Sequence, residues 1–270
     1  MKKIALMKQL AARLKPNLSR RGRETIRKEC KLPHIILVGT HHKTGTVWML
    51  KIFREIAVEL NLRFFSGGGK ALPSDADIIL GDHSRFALES LQVDYRGLHI
   101  IRDPRDRIVS GCFYHQKANE PWLHERKAAL GGSTYQEKLN SYASFDDKLL
   151  FEMEHSGKFG VQEMLKWDYE NPNFIEVKYE NLINDTDLLL FHQIFMFLGF
   201  SGQTIPRILE IAYKNSLFSD TIPKSVHVRS GESGQWKQYF KPVHRRRFVE
   251  LFGDALITLG YEKNNAWADN

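Results

Sequence analysis

Short apolar runs closed by small residues alternate along this chain with stretches in which apolar residues return every three or four positions. His34 to Gly39 (HIILVG) is apolar nearly throughout and stops at a glycine, the pattern of a strand buried on both faces. Asp77 to Leu80, Gly97 to Ile101 and Phe174 to Tyr179 read as further strands. After the first run, Met49, Ile52, Phe53, Ile56, Ala57 and Leu60 share one face of a helix. The same spacing predicts helices from Pro104 to about Lys117, Val161 to about Tyr169, Leu188 to Leu198 and Pro206 to Tyr213, and a last one from Pro242 to about Leu259. Buried strands separated by helices predict an α/β fold, a single domain with a central, mostly parallel sheet flanked by helices. In that class ligands lie beyond the carboxyl ends of the strands. The polar stretch from Gln116 to Ser144, with its paired Gly131 and Gly132, has less regular spacing. It reads either as part of a substrate mouth or lid or as an ordinary surface excursion.

Composition changes this picture at one end only. The chain has 270 residues and a formal net charge of +7. Residues 1–31 carry eleven Lys/Arg against two acids, leaving 28 basic and 30 acidic residues beyond them. The body is therefore not basic, which argues against a nucleic-acid-binding surface. The division expected is a basic arm or helix over 1–31 and one domain over 32–270, with no Pro/Gly/Ser-rich linker between parts. In the arm, Ile4, Met7, Leu10, Ala11 and Leu14 fall near one face with Lys3, Lys8 and Arg13 around it. Such a helix could rest on an anionic membrane surface or a partner, or pack on its own domain. Its lysines interrupt the apolar run, so it does not read as a signal peptide, and no stretch reads as a membrane span. Cys30 and Cys112 are the only cysteines. They predict neither a disulfide framework nor a cysteine-rich metal site, and fit a reducing, cytoplasmic setting.

Three distant segments carry chemistry, and each suits phosphate. Lys43-Thr44-Gly45-Thr46-Val47-Trp48 runs from the first strand into the first helix. A loop there presents backbone N–H groups at the positive end of a helix. Gly45 allows close approach, Thr44 and Thr46 offer hydroxyls, and Lys43 adds a mobile positive charge. Arg102-Asp103-Pro104 leads into a helix that reaches Ser110: Asp103 suits the N-cap, Pro104 the first turn, and a guanidinium matches a phosphate. Arg105 and Arg107 read as surface or salt-bridge residues. Arg229-Ser230-Gly231-Glu232-Ser233-Gly234-Gln235-Trp236-Lys237 forms the third segment, with glycines for a tight loop and Trp236 as a packing anchor. The common NTPase loop is not matched, because it needs lysine after its second glycine and here Lys43 precedes Gly45.

The first segment resembles the 5′-phosphosulfate loop of sulfotransferases that use 3′-phosphoadenosine 5′-phosphosulfate (PAPS). Arg102 and Ser110 are similar to that family's 3′-phosphate segment, and Arg229, Gly231, Gly234, Trp236 and Lys237 to its R-x-G-x-x-G-x-W-K signature. The likeness extends from about His34 to Lys263. It implies a P-loop-like nucleotide-binding architecture and transfer of a sulfuryl group from PAPS to a hydroxyl, or an amine, with release of adenosine 3′,5′-bisphosphate (PAP). By the same likeness Lys43 stabilises the leaving oxygen. Thr44, Gly45, Thr46, Val47 and Trp48 hold the 5′ side, and Arg102, Ser110, Arg229, Ser230 and Gly231 hold the 3′-phosphate. Trp48 and Phe218 flank adenine, with Tyr179 and Ser216 near the purine or ribose edge.

The acceptor hydroxyl must lose a proton, which suits histidine. The chain has eleven. His83, after Ile78-Ile79-Leu80-Gly81-Asp82, stands where the resemblance implies the catalytic base, with Asp82 as an alternative. His41 and His42 depart from the family, whose small-molecule branch has an aromatic residue and proline there; as neighbours on a loop they point apart and are expected to shape the pocket floor rather than bind a metal. Val47 is a second departure, removing one hydroxyl. No metal is expected. The acceptor could be a small molecule, a lipid or a saccharide, and the oligomeric state is not legible. The other readings are a P-loop kinase-like phosphotransferase and a non-catalytic nucleotide-binding protein.

Overall fold

The computed structural model describes residues 32–67, 72–73, 75–216, 218–219 and 232–269. The basic arm and Arg229, Ser230 and Gly231 lie outside the described residues. Five strands form: β1 (Ile35–Thr40), β2 (Phe64–Ser66), β3 (Ile78–Asp82), β4 (Tyr95–Ile101) and β5 (Phe174–Lys178). The helices in chain order are α1 (Thr46–Leu60), α2 (Pro104–His115), α3 (Tyr135–Ser141), α4 (Phe145–Glu152), α5 (Lys158–Leu165) and α6 (Tyr179–Leu182). After them come α7 (Leu189–Phe197), α8 (Ile205–Lys214), α9 (Trp236–Tyr239), α10 (Pro242–Phe252) and α11 (Ala255–Thr258).

The chain divides into two compact units, each with its own apolar core. The first, the sheet unit, takes the described residues of 1–40, 45–101 and 169–231. Its strands run in the order β2-β3-β1-β4-β5, every pair parallel. β1 is buried along its whole length, as an apolar run between two parallel neighbours must be. Val38 is in register with Leu80 of β3 and Leu98 of β4. The chain thus leaves β1 for one side of the sheet and later returns to its other side, which opens a crevice at the carboxyl end of β1. Helix α1 lays Met49, Ile52, Phe53, Ile56, Ala57 and Leu60 into this core, where Phe191, Phe195 and Phe200 are also fully buried. It stops at Asn61, whose left-handed backbone (φ 55°) turns its N–H back to Ala57 and Val58.

The second, the helical unit, takes residues 41–44, 102–168 and 232–270 as far as they are described. Ile108, Val109, Cys112, Leu149, Phe248 and Trp267 are among its core residues. Helix α4 continues through a single π turn, Met153–Gly157, into α5.

The parallel α/β sheet agrees with the sequence expectation, with strand ends shifted by one or two residues. Strand β2 was not legible: it has three residues, none buried, too few to show alternation. The last predicted helix is two helices, because Gly253 takes a positive φ of 53° and ends α10. The Gln116–Ser144 stretch is not an ordinary excursion. It buries Leu123, Tyr135 and Leu139 and contains α3, started by a reciprocal Thr134–Glu137 capping box. Arg105 and Arg107 are not surface residues. Both are 3% exposed; Arg105 pairs with Asp103 (2.8 Å) and Glu262 (2.6 Å), and Arg107 donates to the Gly157 carbonyl (3.3 Å). Among the described residues no helix is long and apolar enough to cross a membrane.

Candidate active site

The loop between β1 and α1 is held open from within. Lys43 (φ 66°) and Gly45 (φ 100°) have left-handed backbones and Thr44 between them does not, an alternation that turns successive N–H groups toward one concavity. At Gly45 a side chain is doubly barred: the φ disfavours it, and a Cβ would stand 3.3 Å from the Tyr179 ring. The Thr44 hydroxyl accepts from the His41 N–H and donates to the His41 carbonyl, both at 2.7 Å. It therefore braces the loop, rather than standing open as the sequence suggested. The Thr46 hydroxyl shares a hydrogen bond with Thr40 (2.9 Å), and Val47 is 41% exposed.

Within the helical unit, all three sequence segments meet at Arg102. Its guanidinium donates to the carbonyl of Lys43 (3.1 Å) and, from the other Nη, to the carbonyl of Glu232 (3.4 Å). The Lys43 ammonium lies 3.8 Å above the Tyr114 ring. Burial first, and then the positive charge of Arg102, bring the Lys43 pKa down from 10.5 to about 8, with Arg107 adding to the effect and Glu120 and Glu152 opposing it. A buried lysine whose charge is opposed by a neighbouring arginine suits a site for an anion.

The 3′ segment and the C-terminal signature share one helix. Asp103 caps α2 by accepting from the Arg105 N–H (2.9 Å). One turn on, the Asp106 carboxylate accepts from the Gly234 N–H (2.6 Å) and the Trp236 N–H (2.8 Å). Gly234 supplies the positive φ (77°) that aims its N–H there. Trp236 is packed as expected, under the Arg105 guanidinium at 3.7 Å. Ser110 is half-buried on the same helix as Asp106.

In the sheet unit, Trp48 and Tyr179 meet edge to face (6.2 Å), and Trp48 meets Phe191 likewise (5.8 Å). The Trp48 Nε1 is buried and donates to no acceptor among the described residues, an orphan that suits a ring-nitrogen or phosphate ligand. Phe218 packs on Tyr213 (6.1 Å), and the Ser216 hydroxyl donates to the Tyr213 carbonyl (2.7 Å). His83 and Ser84 follow β3 with left-handed backbones (φ 66° and 51°), a costly geometry for residues with side chains. It is secured by the Ser84 hydroxyl, which donates to the Thr40 carbonyl (3.1 Å) at the end of β1. Asp82, the last residue of β3, is exposed.

Some site residues escaped the sequence reading. Asp106, His115, Tyr135 and Glu152 interact over long separations and carry no local motif. His41 and His42 do point apart: His41 faces Glu163 (3.8 Å), and the His42 Nε2 meets the His115 Nε2 (2.9 Å). The His42, His115 and Glu120 donor atoms lie within 4.8 Å of one another, close enough for a cation. The two imidazoles are already bonded to each other, however, and Glu120 already accepts from the Tyr114 hydroxyl (2.9 Å) and the Trp122 Nε1 (2.6 Å). A cation would have to break these bonds.

Comparison with known proteins gives a consistent result. A family model described as the sulfotransferase domain matches residues 83–260. Mouse sulfotransferase 2A1 is 23% identical over 261 residues, covering 82% of this chain and 84% of its own length. Human sulfotransferase 2A1 is 25% identical over 186 residues, covering 61% and 58%. The crystal structure of mouse sulfotransferase SULT7A1 complexed with PAP superposes with a TM-score of 0.57 at 19% identity, covering 87% of this chain and 88% of that one. The architecture is thus that of a sulfotransferase, and by its matched domain the chain belongs to the sulfotransferase family.

Proposed function

We propose that the protein transfers a sulfuryl group from PAPS to a hydroxyl, or an amine, of an acceptor, releasing PAP. The observation that carries the reading is the convergence on Arg102: one guanidinium ties the carbonyl of Lys43 to that of Glu232, so both phosphate segments and the C-terminal signature share a single anchor. The complex of SULT7A1 with PAP, a protein of the same fold, supports the choice of nucleotide.

Each residue has a task in this reading. PAPS supplies an activated sulfur whose departing oxygen gains negative charge. Lys43, already beside Arg102 and partly desolvated, neutralises that charge as it grows. The N–H groups of the Lys43–Trp48 loop and the Thr46 hydroxyl hold the 5′ side, with Thr44 keeping the loop's shape. Arg102 and Ser110 receive the 3′-phosphate, with Arg229, Ser230 and Gly231 contributing from the C-terminal segment. Trp48 and Phe218 present flat faces to adenine, and Tyr179 and Ser216 line its edge. His83 removes the acceptor's proton. The acceptor is a small molecule, a lipid or a saccharide.

Calorimetry against PAP and ADP in EDTA tests the nucleotide, with PAP expected to bind at least tenfold more tightly. Tighter ADP binding defeats the proposal. An acceptor panel with radiolabelled PAPS, run beside Lys43→Ala, then tests the transfer; label moved equally by both proteins would defeat the role of Lys43.

A further inference from the structure

We infer that Ser84 is a positioning residue for His83, clamping the turn that carries this proposed base onto the strand that leads to the phosphate loop; the inference rests on the sulfotransferase reading above. His83 and Ser84 stand in succession with left-handed backbones, φ 66° and 51°. Each such conformation costs free energy for a residue with a Cβ, and two in a row persist only where neighbouring atoms over-determine them.

What determines them is the floor beneath the turn. Gly39 of β1 and Gly81 of β3 are register partners, so one rung of the sheet carries no side chain on either strand. Ser84 and Phe86 fill that space. A Cβ at Gly39 would lie 2.9 Å from the Ser84 Oγ and 3.2 Å from the Phe86 ring, and one at Gly81 would lie 2.7 Å from the same ring. Phe86 is backed in turn by Phe174 of β5, with ring centroids 6.1 Å apart. Seated there, the Ser84 side chain is buried and its hydroxyl donates to the Thr40 carbonyl at 3.1 Å. A glycine would take this left-handed backbone without strain, so a serine here accepts strain and gains a hydroxyl bond to β1.

Thr40 gives the clamp its use. Its carbonyl accepts from Ser84, and its hydroxyl shares a hydrogen bond with the hydroxyl of Thr46 (2.9 Å), the first residue of α1. One residue at the end of β1 thus ties the turn bearing His83 to the threonine assigned to the 5′ side of the donor. A base has to meet the acceptor's proton in line with the departing group, and a displacement of about 1 Å is enough to cost a hundredfold in rate. Ser84 touches neither donor nor acceptor in this scheme. It acts by fixing where His83 stands.

Ser84→Gly separates positioning from folding, since it removes the hydroxyl and relieves the strain together. With radiolabelled PAPS over phenol, alcohol and amine acceptors, its kcat should fall about thirtyfold, with the PAPS KM and PAP affinity held within twofold. Its melting temperature should change by no more than about 3 °C. His83→Asn should lower kcat about a hundredfold, and adding Ser84→Gly to it should lower kcat no further, because Ser84 acts through His83. Histidine NMR spectra of the full chain give a check without an acceptor: the His83 ring signals should shift or broaden in Ser84→Gly, while those of His34, before β1, stay in place. Full turnover in Ser84→Gly, an added loss in the double variant, or unchanged His83 signals would each overturn the inference. Normal turnover in His83→Asn overturns it together with the base assignment. If PAP fails to bind while the His83 signals move as expected, it is the transferase reading that falls.

Discussion

The sheet unit and the helical unit treat buried charge in opposite ways. In the sheet unit, buried acids, bases and histidines are few; His99, beside Glu176 (2.5 Å), and Asp185 are the ones among its described residues. Its strands and α1 contribute backbone, flat rings and shape. The helical unit buries Arg102, Arg105, Arg107, Asp103, Asp106, His115 and Glu152. These groups are tied to carbonyls, N–H groups and one another, which keeps the cost of burying them tolerable. The comparison teaches that charge is concentrated in one of the two cores. The sheet unit is built on backbone pairing and apolar packing, and the helical unit on charges that need partners.

The largest expected effect tests those charges directly. Lys43→Ala should lower turnover by about a hundred- to a thousandfold and yet raise the melting temperature of the nucleotide-free protein. The sign follows from the folded pKa of about 8 lying below the ordinary 10.5. The charged lysine costs stability throughout the range below pH 8, and that cost is relieved as pH rises from 8 toward 10.5. Denaturation curves across this window should rise in the wild type and be flat in the variant.

Next come paired glycine substitutions, one in each unit. A Cβ at Gly160 would lie 1.8 Å from the Cζ of the buried Arg107, and one at Gly97 2.0 Å from Cε1 of Phe174. Gly160→Ala should cost about 3 kcal/mol and Gly97→Ala about 2, because a buried ring on the last strand can shift against its aromatic neighbours more easily than a guanidinium enclosed on every side. Urea titration measures both, and the reverse order would break the comparison. Asp106→Ala should cost about 2 kcal/mol by leaving the Gly234 and Trp236 N–H groups without their acceptor, and should weaken PAP binding in calorimetry. The smallest effect belongs to the sheet unit. Burial lowers the His99 pKa from 6.5 to about 3, so stability is lost as pH falls from 6.5 toward 3. His99→Gln should remove about 1 kcal/mol of that loss, read from acid denaturation.

What could be read in the sequence follows the same division. The sheet unit was largely legible, since apolar runs such as Ile35–Thr40 and the helical spacing of Met49 to Leu60 are local signals. The Lys43 and Arg102 segments stood out because their motifs keep short, fixed spacings. The helical unit was not. Glu152 reaches His115 across 37 positions, and Asp106 reaches Gly234 across 128, so no window of sequence contains either partnership. Arg107 has the composition of a surface residue and became a core residue because Gly160 leaves its guanidinium room. Thr44 has the residue type of a ligand donor, and only the loop's backbone shows that its hydroxyl is spent on His41.

The Asp106 clasp has a consequence for how such chains can vary. One carboxylate on α2 fixes the register of Gly234 and Trp236, whatever chain lies between. Loops in that interval can lengthen, shorten or be exchanged while the clasp survives, so the surface between the two ends is free to diverge as the ends stay fixed.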